Sequence, residues 1–199
     1  MTTIRMTRVT SAAAALLLLT AGFAEAHPGL PGHTHGFFEG VAHPLSGLDH
    51  IAAMVVVGLW AASLGRRALW AVPSAFVALL GVGAVFGMAG VAVPWVEAAI
   101  TASVVVLGLL VALNVRLPIV PAAALVGLFA VFHGVAHGAE MPAMADPLAY
   151  GLGFLLATAA LHASGIGLGM GLSRLGGPVL SRAAGAVTVG GGVMLAFAG

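Results

Sequence analysis

Two short histidine-containing motifs interrupt an otherwise strongly apolar chain. The first, His-Pro-Leu-Ser-Gly-Leu-Asp-His, occupies residues 43–50, and the second, Phe-His-Gly-Val-Ala-His-Gly-Ala-Glu, occupies residues 132–140. Charged residues make up only 7% of the chain, so these imidazoles and carboxylates are concentrated against an apolar background. An ionisable group in a bilayer costs roughly 2.5–3.5 kcal/mol and usually marks an ion or substrate pathway. Because imidazole and carboxylate bind divalent metals of borderline softness, the motifs predict a metal site.

The second motif predicts three ligands on one face of a helix. His133 and His137 are four residues apart, and Glu140 follows three residues later. Each residue advances about 100° around an α-helix, so all three fall on one narrow stripe. Two imidazoles at this spacing bind one cation in zinc-binding helices. The alternative is that these are ordinary buried histidines, as a lone histidine usually is.

The first motif adds a second pair of histidines with an acid beside them. His43 and His50 are seven residues apart, which predicts two turns on one helical face, with Asp49 flanking. Pro44 and Gly47 are expected to distort this helix and to free carbonyl groups that could also act as ligands. Two roles for Asp49 stay open: a direct metal ligand, or a partner that orients the imidazole of His43.

Four further histidines are candidates for accessory metal contacts. His27, His33 and His35 lie in a Pro/Gly-rich segment, where they either help to capture metal or belong to a polar linker. His162 is expected to be a second, deeper station, because it lies about 15 residues into its span, roughly 22 Å at 1.5 Å per residue. The alternative is a buried histidine that is hydrogen-bonded to a neighbouring helix.

The composition is that of a membrane protein and excludes several other classes. Hydrophobic residues make up 61% of the 199 residues, against about 45–50% in soluble domains. The net charge is +1 and basic residues form no stripe, so no nucleic-acid partner is expected. Cysteine is absent, which removes disulfides and thiolate ligands. No phosphate-binding loop occurs, so we expect no ATP site. Transport of the secondary type is expected, and a facilitator or the membrane part of a larger system are the alternatives.

Six apolar segments, each near the ~20 residues needed to cross a bilayer, dominate the chain. We expect an all-α integral membrane protein, a six-transmembrane-helix bundle, preceded by a cleavable signal peptide at residues 1–26 that ends in Ala-Glu-Ala. A retained first helix is the alternative to cleavage. Residues 27–40 would form a His/Pro/Gly-rich periplasmic tail, and 41–199 the permease domain in contact with the lipid bilayer. The predicted spans are 41–64, 68–89, 94–113, 118–138, 147–172 and 178–198.

Charge predicts the orientation of these spans, and glycine predicts how they pack. If the first span starts outside, the inner loops carry every arginine after residue 26, as the positive-inside rule requires. The chain then lies in a bacterial inner membrane with both termini and both motifs on the periplasmic side. Pairs of small residues predict close helix packing within the chain or a dimer interface. These pairs are Gly83/Gly87, Gly165/Gly169 and Gly167/Gly171.

Both motifs resemble those of the HupE/UreJ family of nickel/cobalt permeases. The His-x5-Asp-His of the first motif is followed by Ile-Ala-Ala-Met-Val-Val-Val-Gly-Leu-Trp at 51–60, and residues 132–140 read Phe-His-Gly-x-Ala-His-Gly-x-Glu. The resemblance extends to the leader, the six spans and the order of the motifs. It implies that Ni²⁺, and as a second candidate Co²⁺, is the transported substrate and supplies urease or hydrogenase maturation. The metal-handling residues that it implies are His43, Asp49, His50, His133, His137 and Glu140.

Two other functions compete with metal uptake. An intramembrane zinc-dependent hydrolase would use the histidines and Asp49 to hold Zn²⁺ and activate water near Ser46. Against it, the acids and histidines leave no obvious spare base, and the short loops offer little substrate groove. A periplasmic metal sensor is the other alternative.

Overall fold

The computed structural model of the protein describes residues 36–198, and every regular element within that range is helical. The predicted signal peptide and His27, His33 and His35 lie outside the described residues. The helices are α1 (Phe37–Ala42), α2 (Leu48–Leu64), α3 (Ala68–Met88), α4 (Val96–Ala112), α5 (Ile119–Ala139), α6 (Pro147–Gly176) and α7 (Pro178–Ala198), with a 3-10 helix at His43–Leu45 between α1 and α2.

Four of the described helices, α3, α5, α6 and α7, are long and apolar enough to cross a membrane. Helix α4 is apolar but has only 17 residues. Two further segments, Phe37–Leu45 and Leu48–Leu64, are long and apolar enough to cross a membrane only when they are counted together as one bent span. The prediction that the protein is all-α and has several membrane-spanning helices is therefore confirmed. Each of the last five predicted segments is a single helix in the structure.

The first predicted span, 41–64, is broken where Pro44 and Gly47 indicated a distortion, but the prediction that His43 and His50 lie on one helical face is wrong. The chain bends by 84° between the 3-10 helix and α2. Pro44 lies in the 3-10 helix, where its ring removes a backbone N–H that a continuing α-helix would need. Gly47 then takes an extended conformation, with φ −103° and ψ 123°, directly before α2. As a result, His43 and His50 lie on the two arms of an elbow and do not share a helical face.

Helix α6 is longer than predicted. It continues past residue 172 to Gly176 and has 30 residues, which is about 45 Å at 1.5 Å per residue, compared with a hydrocarbon core of about 30 Å. Gly177 ends it with φ 62°, a left-handed conformation that glycine adopts without steric cost. Most of the residues between the predicted spans 147–172 and 178–198 therefore belong to the last turn of α6.

Helices α3 and α5 pack with their backbones in direct contact. A Cβ atom added to Gly83 or Gly87 of α3 would overlap carbonyl oxygens of α5. A Cβ added to Gly134 or Gly138 of α5 would overlap carbonyl oxygens of α3. The contact is reciprocal, so neither helix has room for a side chain at these four glycine positions. This confirms that the Gly83/Gly87 pair packs within the chain.

Helix α6 holds both arms of the elbow through glycines. Gly153 lies against a carbonyl oxygen of α1, and Gly40 of α1 lies against a carbonyl oxygen of α6. Gly165 meets α2 in the same way. Gly167 and Gly171 have nothing within 4 Å of an added Cβ in the described part of the chain, so this predicted pair does not pack within it. The elbow is therefore positioned by α6.

The largest buried side chains lie between α2, α3 and α6. Trp60, Phe76, Tyr150 and Phe154 are all almost completely buried. The indole N–H of Trp60 donates to the carbonyl oxygen of Val115 at 2.9 Å and satisfies its polar atom. This core anchors the helices that carry the two motifs.

Candidate metal site

The elbow places the first motif against the end of α5, where the second motif lies. The rings of His43 and His137 have centroids 4.8 Å apart. The ring of His50 lies 4.4 Å from that of His137 and 4.9 Å from that of His133. Four imidazoles from two distant segments therefore form one continuous row.

Three residues at the exposed end of this row, His43, His137 and Glu140, form what we call the outer group. One nitrogen or oxygen atom from each lies within 4.8 Å of the others, a spacing that could hold a metal ion. His43 Nε2 donates to Glu140 Oε2 at 2.9 Å, because an ionised carboxylate can only accept. His137 is buried, and neither of its ring nitrogens has a hydrogen-bond partner among residues 36–198. Its lone pair is therefore free for a cation.

Three more predicted site residues, Asp49, His50 and His133, form what we call the inner group. Asp49 Oδ1 accepts from the backbone N–H and from Nδ1 of His50, each at 2.8 Å. The histidine that Asp49 contacts is thus His50 and not His43. His50 Nε2 is buried and has no hydrogen-bond partner in the described part of the chain. Among the described residues, only the outer group brings one ligand atom from each of three side chains within 4.8 Å of one another.

Three contacts of the histidine row involve residues that the sequence did not single out. Ser103 Oγ lies 3.0 Å from His133 Nε2. The hydroxyl of Tyr150 donates to the carbonyl oxygen of His137 at 3.2 Å. The ring of Phe76 lies 5.8 Å from that of His133. A serine inside an apolar span is a feature that could have drawn attention to Ser103, whereas a phenylalanine or tyrosine in an apolar helix is ordinary.

His162 lies beyond Phe76 and outside both groups. Its ring packs edge-on against Phe76 at 4.9 Å, so Phe76 contacts both His162 and His133. His162 is buried, and neither of its ring nitrogens has a hydrogen-bond partner within the described residues. The hydrogen bond to a neighbouring helix that was the alternative for His162 is therefore not observed. His162 also lines a groove of about 370 Å³ between α3 and α6.

A cavity of about 270 Å³ adjoins the outer group. It lies between the start of α4 and the end of α5, and Glu97 and Glu140 both line it. Two carboxylates in one concave surface raise the local concentration of cations. Glu97 lies in the first turn of α4 and was not among the predicted site residues.

We expect Gly47→Ala to weaken metal binding while the protein stays folded. The φ angle of Gly47 suits alanine, but the added Cβ would lie 2.6 Å from Asp49 Oδ1 and 2.9 Å from His50 Nδ1. Both atoms belong to side chains that can rotate, so the pair would move and the backbone would not. Disturbing such an orienting contact lowers metal affinity by about 10–100-fold.

Isothermal titration of the purified protein with Ni²⁺ measures this effect of Gly47→Ala. Gly167→Ala, at a position with open space around it, is the matched control. Unchanged affinity in Gly47→Ala would show that the Asp49–His50 contact does not matter for binding.

Comparison with known proteins supports the resemblance found in the motifs. Residues 15–195 match the family described as HupE / UreJ protein. The chain is 47% identical over 192 residues to "Protein HupE" of Rhizobium leguminosarum bv. viciae, which covers 96% of this chain and 98% of that protein. No solved structure matches the chain. The matched residues include both histidine motifs.

Proposed function

Since the chain belongs to the HupE/UreJ family, we propose that it takes up divalent nickel across a bacterial inner membrane, with cobalt as the second candidate substrate. The observation that carries this proposal is the outer group, in which His43 and Glu140, 97 residues apart in the chain, come together with His137 so that their ligand atoms lie within 4.8 Å. Imidazole-rich sites suit nickel, and a chain without cysteine offers no thiolate for softer metals.

The burial of the ligands supports a direction of movement for the ion. The side chains of Glu140 and His43 are 56% and 24% exposed, whereas His137 and His133 are buried. An incoming ion exchanges its water for protein ligands in steps, first at the outer group and then at the inner group. The membrane potential drives it onward, at roughly 4.6 kcal/mol for a divalent ion per 100 mV.

The distribution of charge supports the orientation. We place six spans in the membrane, counting the elbow as one broken span, with both termini in the periplasm. Broken helices at membrane depth are found where they line a substrate site, and this supports the placement of the proposed site at the elbow. The arginines then face the cytoplasm, and the nickel delivered there supplies urease or hydrogenase maturation.

The decisive experiment is ⁶³Ni uptake by a transport-deficient bacterial host that expresses the chain. We expect nickel to accumulate only when the chain is present, and excess cobalt to compete more strongly than zinc or copper. Absence of accumulation by a chain that is present in the membrane would overturn the proposal. The comparisons give no support to the zinc-dependent hydrolase, which would instead be revealed by zinc-dependent hydrolysis in the same membranes.

We propose that His162 is a second station, reached after the ion passes Phe76. We expect His162→Ala to lower the initial uptake rate about tenfold or more while leaving nickel affinity within about threefold of wild type. The physical reason is that His162 belongs to neither ligand group and is separated from His133 by the ring of Phe76.

Uptake of ⁶³Ni and calorimetric titration measure the two effects of His162→Ala separately. Leu156→Ala, an exposed position on the same helix, serves as the control. A loss of binding as complete as that of His137→Ala would place His162 in the same ligand shell and would refute the second station.

A further inference from the structure

Ser103 is a buried serine on α4 whose hydroxyl group lies within hydrogen-bond distance of two other polar atoms. Its Oγ lies 2.6 Å from the carbonyl oxygen of Ile100, on the same helix, and 3.0 Å from Nε2 of His133 on α5. A hydroxyl has only one proton to donate, whereas a carbonyl oxygen can only accept. If the proton pointed at His133, two oxygens would face each other at 2.6 Å with no proton between them. The proton of Ser103 therefore goes to Ile100.

This determines which nitrogen of His133 carries a proton. With its own proton committed, Ser103 Oγ can only accept from His133, so Nε2 must be the protonated nitrogen. The opposite tautomer would bury an N–H at Nδ1, for which the helices that the structure describes offer no hydrogen-bond partner. An unsatisfied buried donor costs about 1–3 kcal/mol. Both arguments indicate the same tautomer, in which the lone pair lies on Nδ1.

We propose that Ser103 is a positioning residue that holds His133 as the Nε2–H tautomer, so that Nδ1 is the atom offered to the ion. The claim that Nδ1 binds the ion rests on the proposed function, whereas the claim about the tautomer of His133 does not. A ligand whose second nitrogen donates to a fixed acceptor is oriented and becomes more basic. Ser103 thus acts on the ion through His133, without touching it.

His50, the neighbouring histidine, carries its proton on the other ring nitrogen, Nδ1. Asp49 accepts the Nδ1 proton of His50, so His50 offers Nε2. The two rings lie 4.9 Å apart with their planes at 89°. The inner group therefore offers one Nε2 and one Nδ1 atom, and each is kept free by a hydrogen bond at the other nitrogen of its ring.

Nuclear magnetic resonance of the metal-free protein tests the tautomer directly. The purified protein is labelled with ¹⁵N-histidine, and the signals of His133 are identified by their loss in His133→Gln. We expect a protonated Nε2 and an unprotonated Nδ1 in the wild type and in Ser103→Thr, and loss of this preference in Ser103→Ala. A wild-type His133 that carries its proton on Nδ1 would overturn the proposal, whatever the variants do.

Calorimetric titration with Ni²⁺ tests the consequence for binding. We expect Ser103→Ala to bind nickel about 10–100-fold more weakly, and Ser103→Thr, which keeps the hydroxyl, to stay within about threefold of wild type. Ser63→Ala is the matched control, because Ser63 also donates to the carbonyl oxygen three residues earlier, Trp60 at 2.7 Å, and has no hydrogen bond to a histidine.

Three outcomes of the titration are distinguishable. Weak binding in Ser103→Ala with recovery in Ser103→Thr supports the positioning role. Unchanged affinity in Ser103→Ala, with intact binding by the wild type, overturns the positioning role alone. No nickel binding by the folded wild type overturns the proposed function and the positioning role together, and the tautomer is then decided by the magnetic resonance result.

Discussion

Replacing His137 by alanine is expected to abolish nickel uptake and to lower nickel affinity at least about a hundredfold. His137 belongs to the outer group, and its ring also contacts that of His50. Four-ligand zinc sites contribute about 10–16 kcal/mol, so one ligand is worth roughly 2.5–4 kcal/mol. Every 1.4 kcal/mol corresponds to about a factor of ten, which gives the expected loss. The backbone of α5 should be unaffected, because alanine is the best helix former.

The His137 variant is measured by initial ⁶³Ni uptake, by calorimetric titration and by the amount of protein in the membrane. Leu128→Ala, an exposed position on the same helix, should transport nickel normally. Near-normal uptake by His137→Ala would contradict the assignment of the outer group and, with it, the observation that carries the proposed function.

Gly134→Ala is expected to destabilise the protein by about 3 kcal/mol or more. The added Cβ would overlap the carbonyl oxygen of Leu80 and would lie 2.7 Å from the backbone nitrogen of Ala84. Overpacking costs about 1–3 kcal/mol even where side chains can shift, and here the neighbours are backbone atoms that cannot. The separation of α3 from α5 would also displace His133, the residue directly before Gly134, from Phe76.

Thermal unfolding of the purified variants measures the effect of Gly134→Ala, together with nickel uptake. The matched control is Gly81→Ala on α3, where an added Cβ meets nothing within 4 Å. That substitution should be neutral or should stabilise the helix by about 0.5–1 kcal/mol. If both variants unfold at the same temperature, the close contact between α3 and α5 does not limit stability.

Most helix positions could be predicted from the sequence because a helix in lipid satisfies its backbone hydrogen bonds within its own segment. Apolar length alone therefore located the helices after residue 67 to within a few residues, apart from the extension of α6 to Gly176. The first span was the exception. Pro44 and Gly47 indicated a distortion, but the 84° angle follows from how α6 holds α1 and α2, which no local pattern encodes.

The sequence by itself determined which residue types could form a metal site: two motifs of imidazoles and carboxylates in an apolar chain, a pattern that depends only on composition and spacing. Only the tertiary structure decided how these residues are grouped. Glu140 pairs with His43, Asp49 pairs with His50, and Ser103 contacts His133 from another helix. Such contacts depend on where helices cross and on how closely their backbones approach. Those distances are set jointly by glycines on separate segments, so neither segment specifies them alone.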